Sequence, residues 1–181
     1  MKLNKAYTTF ILIIVLLITG CSKNISVKKV DINTIKNKQE IAFDSIYNVN
    51  YIIKNPNKKN YKVSFSMELG NNGKYDLGEF YINKEEFTNN DDILITLNFD
   101  KTEESKFTIS RGTSIIRDKR VIDKQIATSN FDYFKNKDIY ITESNIVNED
   151  TINEKIHIAN INCKDIDQDA KIYLEILESD K

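Results

Sequence analysis

The 181-residue chain holds 27 Asp plus Glu and 26 Lys plus Arg, but a single His, His157, and two Cys, Cys21 and Cys163. Acid–base, nucleophilic and zinc chemistry therefore have few groups to work with. A Ser-His-Asp site would have to use His157, which sits between Ile156 and Ile158 and so points to the opposite strand face; the expected imidazole is solvent-facing or second-layer rather than a base. One His and one remaining Cys are too few for zinc. Glycine-rich phosphate loops, HExxH and GxSxG are missing from the sequence, and no cofactor is expected.

Carboxylates are the remaining catalytic currency. Glu79, Glu85, Glu86 and Asp91 can supply a glycosidase-like pair, although sequence sets no separation between them. Asp165, Asp167 and Asp169 have the DxDxD spacing of hard-cation loops, yet position six is Ala170 where a Gly is needed and position twelve is Ile176 where a bidentate Glu is needed. A solvated turn is the expectation there. The least ordinary local feature is basic: all three Arg, Arg111, Arg117 and Arg120, fall within ten positions, joined by Lys119 and Lys124, with a turn expected at Gly112. Guanidinium recognises carboxylate or phosphate through two parallel bonds, which an ammonium does not. Arg111, Arg117, Lys119 and Arg120 are thus a candidate surface for a lipid headgroup, a wall-polymer phosphate or an acidic protein. Ion pairing with nearby Asp118 or Asp123 is the competing use.

The elements that carry these residues read as strands. Tyr61, Val63, Phe65, Met67 and Leu69 alternate with Lys62, Ser64, Ser66 and Glu68, the period of a half-buried strand. Gly70-Asn71-Asn72-Gly73 then predicts a tight reversal into Lys74–Asn83, where the phase shift at Gly78 predicts a bulge. The alternation recurs from Ile41 to Ile53, Ile93 to Phe99, Phe107 to Ile109, Ile139 to Ile141, Ile156 to Ile158 (with a second phase shift near Ala159) and Ile172 to Ile176. Eight or so strands in an all-β, antiparallel two-layer sandwich are the natural way to bury those faces. Lys84–Asn89 and Lys119–Thr128 are the two stretches with room for a short helix. Cys163, in phase with Ile161 and Ala159, is expected to be a small buried hydrophobe. Phe131, Tyr133 and Phe134 break the alternation, which leaves one ring for the surface.

The first segment differs from all of this. Lys2 and Lys5 precede an apolar run from Phe10 to Ile18, nine residues that cover about 14 Å at the helical rise, against a hydrocarbon core of about 30 Å. That is a signal-peptide pattern rather than a span. Ile18-Thr19-Gly20-Cys21 closes it and resembles the bacterial lipobox, an aliphatic residue two places before a small one and then Cys. The resemblance covers residues 1–21 only. It implies removal of residues 1–20, diacylglycerol and further acylation (palmitate-type chains) on Cys21, and residence on the outer face of the cell membrane. Two chains anchor firmly where one is marginal, at about 0.8 kcal/mol per buried CH₂. With Cys21 acylated, Cys163 has no partner for a disulfide.

Charge divides accordingly. Residues 21–39 carry Lys23, Lys28, Lys29, Lys36 and Lys38 against Asp31, a balance of +4, and are expected to be a tether. Residues 40–181, the expected sandwich, carry 19 basic and 26 acidic residues, a balance of −7. An acidic exported body makes nucleic acid an unlikely partner by charge alone. The sequence predicts a membrane-anchored lipoprotein that binds rather than catalyses, an envelope accessory or immunity-type module acting on an envelope protein or anionic polymer. The alternative is a small cell-envelope hydrolase using surface carboxylates.

Overall fold

The computed structural model describes residues 26–30, 47–54, 56, 59–70, 73–101, 107–134, 137–144, 152–164 and 169–179. Ten strands run through the described residues in chain order: β1 (Ser26–Lys29), β2 (Tyr47–Lys54), β3 (Asn60–Leu69), β4 (Lys74–Ile82), β5 (Asp92–Lys101), β6 (Phe107–Arg117), β7 (Arg120–Phe131), β8 (Ile139–Glu143), β9 (Lys155–Cys163) and β10 (Ala170–Ser179). They form two five-stranded sheets, one ordered β1-β2-β5-β6-β7 and the other β4-β3-β10-β9-β8, with every pairing antiparallel. The chain is an all-β sandwich, as the alternation requires.

One face of each sheet supplies a shared core. Val63, Phe65, Met67 and Leu69 of β3, Ile93, Ile95, Leu97 and Phe99 of β5, and Ile172, Leu174 and Ile176 of β10 are all buried in it. Burying each such side chain contributes about 1.5–3 kcal/mol, so this repeated stripe drives the layering. Cys163 lies in the same cluster, as its phase predicts. Both phase shifts are bulges. Phe65 pairs with Gly78 and Ser66 with Asp76, which leaves Leu77 as the extra residue, and Ile172 pairs with Ala159 while Tyr173 pairs with His157, which leaves Ile158. Gly78 takes φ +108, and the Asp76 carboxylate accepts a 2.7 Å hydrogen bond from the Gly78 N–H. The β3–β4 reversal uses Gly70 at φ +44 and Gly73 at φ +106.

Five expectations change. β1 lies inside the stretch expected to be a tether: residues Ser26 to Lys29 pair with Lys54 to Tyr51 of β2, and Val27 is buried in the core. Packing of one apolar residue and a free sheet edge outweigh the Lys-rich composition. Lys119–Thr128 is no helix: Lys119 is in the turn and Arg120–Thr128 is most of β7, an edge strand that pairs with β6 along its whole length. Lys84–Asn89 is a turn that buries Phe87 against Tyr61, with the Glu86 carboxylate accepting bonds from the Asn83 backbone and side chain. Gly112 makes no turn. It sits within β6, where a Cβ would meet the Gln125 carbonyl oxygen at 2.4 Å. The aromatic group is also inward: Phe134 is buried, and Phe131 and Tyr133 pack against the same core.

The two open sides of the sandwich are closed by polar contacts. On one, Gln125 of β7 donates a 3.1 Å bond to the Tyr81 carbonyl of β4. On the other, the Glu143 carboxylate of β8 pairs with Lys29 of β1 and accepts a hydrogen bond from the Tyr47 hydroxyl of β2. Burial raises Glu143, but the bonds from Lys29 and Tyr47 outweigh it and hold the carboxyl below its ordinary range. Burial first, and then the Glu143 charge, push the Tyr47 and Tyr51 hydroxyls well above theirs.

Candidate functional site

The four members of the basic group do not share a surface. Arg111 is on the inward face of β6 with Ile109 and Thr113, and is 6% exposed. Its Nη1 donates to the Ser129 hydroxyl at 2.9 Å and to the Ile109 carbonyl at 3.3 Å, while Nε has no hydrogen-bond partner. The guanidinium lies against Gly78 of the opposite sheet, where a Cβ would come within 3.1 Å of Nη2. Burial lowers its proton affinity, partly offset by the Asp76 charge. Arg111 therefore leaves the candidate binding surface and becomes an interior residue.

Arg117, Lys119 and Arg120 stay together at the end of β6 and start of β7. The turn between them places Asp118 at φ +50 and Lys119 at φ +64, the mirror-image two-residue turn that matches the strand twist. Arg117 is engaged: Nε donates to Asp91 Oδ1 at 2.9 Å and Nη2 to Asp91 Oδ2 at 2.7 Å. Asp91 also accepts from the Thr88 N–H at 2.7 Å, and its side chain is 1% exposed. The Arg117 bonds, aided by Thr88, hold its carboxyl below the usual range. The pairing partner is thus Asp91, from the preceding loop, rather than Asp118 or Asp123. Lys119 and Arg120 are exposed.

No protein-family model, curated protein or solved structure matches this chain. Function must be argued from its surfaces.

A concave polar one is the outer face of β4, β3, β10 and β9. Strand register sets two rows across it: Glu79, Ser64, Glu175 and Lys155 in one, Asp76, Ser66, Tyr173 and His157 in the next. The two serines are short and the residues around them long, which leaves a trough of about 230 Å³. Its walls are tied. Lys62 bonds Glu79 at 2.5 Å, Tyr81 donates to Glu79 at 2.8 Å, and Lys155 bonds Glu68 at 2.5 Å while lying 3.8 Å over the Tyr173 ring. Lys62 and then Tyr81 keep Glu79 below its ordinary range, and Lys155 does the same for Glu68. His157 is half-buried on this face, 3.0 Å from Asn160 Oδ1 and packed against Tyr173, the second-layer position expected of it.

The carboxylates singled out by sequence are dispersed. Glu79 lies in the trough, Glu86 braces the β4–β5 turn, Glu85 is exposed in that turn, and Asp91 holds Arg117. Glu175, Lys62 and Lys155 are among the trough residues that sequence reasoning missed. The alternation of β3 marks Lys62, Ser64 and Ser66 as outward, but which strands flank them is a matter of register. Among the described residues, no group of three or more His, Cys, Asp and Glu side chains is placed to hold a metal ion. Asp165 and Asp167 of the DxDxD lie outside the described residues, as does Cys21.

Proposed function

We propose that the protein is a lipid-anchored extracytoplasmic binding module, held to the outer face of the cell membrane by diacylglycerol and acyl chains on Cys21 and working through its sandwich surfaces without catalysis. The lipobox-like Ile18-Thr19-Gly20-Cys21 after a short apolar run is the observation that supports the anchor. The trough supports the binding role. Its walls are ion-paired charges of both signs, Lys62 with Glu79 and Lys155 with Glu68, with exposed Tyr81 beside them, an arrangement suited to a polar envelope protein or polymer segment. Two measurements test the reading. Replacing Cys21 by Ala is expected to abolish acyl labelling and move the protein out of the membrane fraction; an unchanged membrane fraction refutes the anchor. Crosslinking in intact membranes through a photoreactive group at Tyr81 is expected to capture a partner that is lost in Lys62→Glu/Lys155→Glu.

One observation favours a hydrolase instead. Glu79 and Glu175 stand on either side of Ser64 in one row, and facing carboxylates are what glycoside hydrolysis uses. A general acid, however, needs a raised pKa, whereas Glu79 is lowered by Lys62 and Tyr81. Release of reducing sugar from wall polymer that disappears in Glu79→Gln and in Glu175→Gln would establish the hydrolase over the binding module.

A further inference from the structure

We infer that the β6–β7 hairpin end of the β1-containing sheet is the membrane-facing end of the molecule, and that Lys119 and Arg120 there contact the phosphates of anionic phospholipid headgroups. The inference rests on the Cys21 anchor proposed above. Its structural basis is the position of β1, the first described strand. β1 starts at Ser26, five peptide steps after Cys21, and five steps span at most about 18 Å whatever their conformation. A tether through residue 39 would have set the body at almost any height and attitude. A strand at Ser26–Lys29 does not.

Register then fixes what shares the Ser26 end of the sheet. Ser26 pairs with Lys54, the end of β2; Ile53 pairs with Ile93 and Asp92 with Ile116; Arg117 pairs with Arg120. The anchor-bearing end of β1 and the basic hairpin are therefore at the same end of one sheet. The β3–β4 turn is at the opposite end, about 33 Å away along a ten-residue strand and beyond the leash.

The charges at this end are sorted by pairing. Arg117 neutralises Asp91, and Lys54 bonds Asp92 at 2.9 Å. Among the described residues Lys119 and Arg120 have no ion-pair partner, and they exceed the neighbouring Asp118 by one positive charge. Two further features fit a headgroup layer. A cavity of about 320 Å³ opens between the end of β2, the strand that pairs with β1, and the hairpin, bounded by Ile52, Lys54, Asp92, Ile116, Asp118 and Lys119. Ile122, the extra residue of a bulge where Ile115 pairs with Asp123 and Ile116 with Val121, is 46% exposed two positions from Arg120. An apolar side chain beside two cations is the pairing that an anionic interface receives: hydrocarbon contact below, phosphate at the rim.

The test uses the acylated full chain in a Cys163→Ala background, with a fluorophore on Ile122→Cys or, at the far end, on Lys74→Cys. Each is reconstituted into vesicles of phosphatidylglycerol and phosphatidylcholine that carry a headgroup nitroxide quencher. Quenching at position 122 is expected to exceed that at 74 at least about twofold, and Lys119→Glu/Arg120→Glu is expected to remove most of the excess, as does pure phosphatidylcholine. Equal quenching at 122 and 74 in a vesicle-bound protein overturns the orientation and leaves the anchor standing. An excess at 122 that survives the charge reversal overturns the headgroup contact. Recovery of the Cys21-containing protein away from vesicles overturns the anchor, and this inference with it.

Discussion

Two guanidinium groups six positions apart on β6 have opposite surroundings. Arg117, at the strand end, forms a two-bond pair with a carboxylate that is itself buried and held by a backbone N–H. Arg111, in mid-strand, is buried between the sheets with no carboxylate bonded to it and with Nε unsatisfied. The first is a closed electrostatic unit at the edge of the fold. The second is a cation retained inside by shape, because the bulge at Gly78 opens a space that no other residue type would leave. Removing a partner costs more than removing a pair, and an unpaired interior charge is dispensable for stability. The contrast teaches that arginine clustering in sequence says little about arginine function. The strand end decides access to loop carboxylates, and the inward phase decides desolvation.

The largest expected effect comes from the space that admits Arg111. Gly78→Ala puts a Cβ at φ +108 and 3.1 Å from Nη2, and is expected to destabilise by about 2–3 kcal/mol, read from urea unfolding. Combining it with Arg111→Ala should recover part of the loss, and a fully additive double mutant would show that the contact is immaterial. Next, Asp91→Ala should cost about 1–3 kcal/mol, because the Thr88 N–H and the Arg117 guanidinium both lose their acceptor.

The same pair predicts a pH dependence. Asp91 is depressed in the fold, so its contribution is present above the unfolded carboxyl value near 3.9 and is lost as pH falls through the lower folded value. Stability of the wild type should therefore drop more steeply below about pH 4 than that of Asp91→Asn, and parallel curves would dismiss the pair as a contributor. Arg111→Met, by contrast, should leave stability within about 1 kcal/mol, on either side of zero, because it removes a desolvated charge while keeping most of the volume. The smallest effect is at the turn: Lys119→Gly should stabilise by about 0.5–1 kcal/mol by relieving a left-handed φ of 64°, visible as a modest rise in melting temperature.

Much of the architecture was legible because burial has a period. The stripes of β3, β5 and β10 declare their inward faces in the sequence, and the lapses at Gly78 and Ala159 declare bulges. β1 and β7 were not legible, for related reasons. β1 has only four residues, and one buried Val27 is too short a pattern to show a period. β7 is an edge strand whose exposed and half-buried positions alternate without strong apolar contrast, so its Lys, Asp and Gln content reads as a helix surface until β6 is seen to pair with it. The site was less legible than the fold. Glu79 was identifiable as a carboxylate and the predicted hairpin sets it against Ser64, but Glu175, on the other side of Ser64, comes from β10, far away in the chain.

By itself the sequence determined that this chain buries alternating apolar faces in two antiparallel layers, that Cys163 is interior, and that its first residues differ in kind from its body. Local periodicity and composition suffice for those. Only the tertiary structure decided that Arg111 is inside while Arg117 answers to Asp91, that a trough forms around Ser64 and Ser66, and that the Ser26 end of β1 and the Arg117–Arg120 hairpin share one end of a sheet. Each depends on strand order and register. Those are set by which nonlocal pairings bury the most apolar surface, a property of the whole chain that no single segment carries.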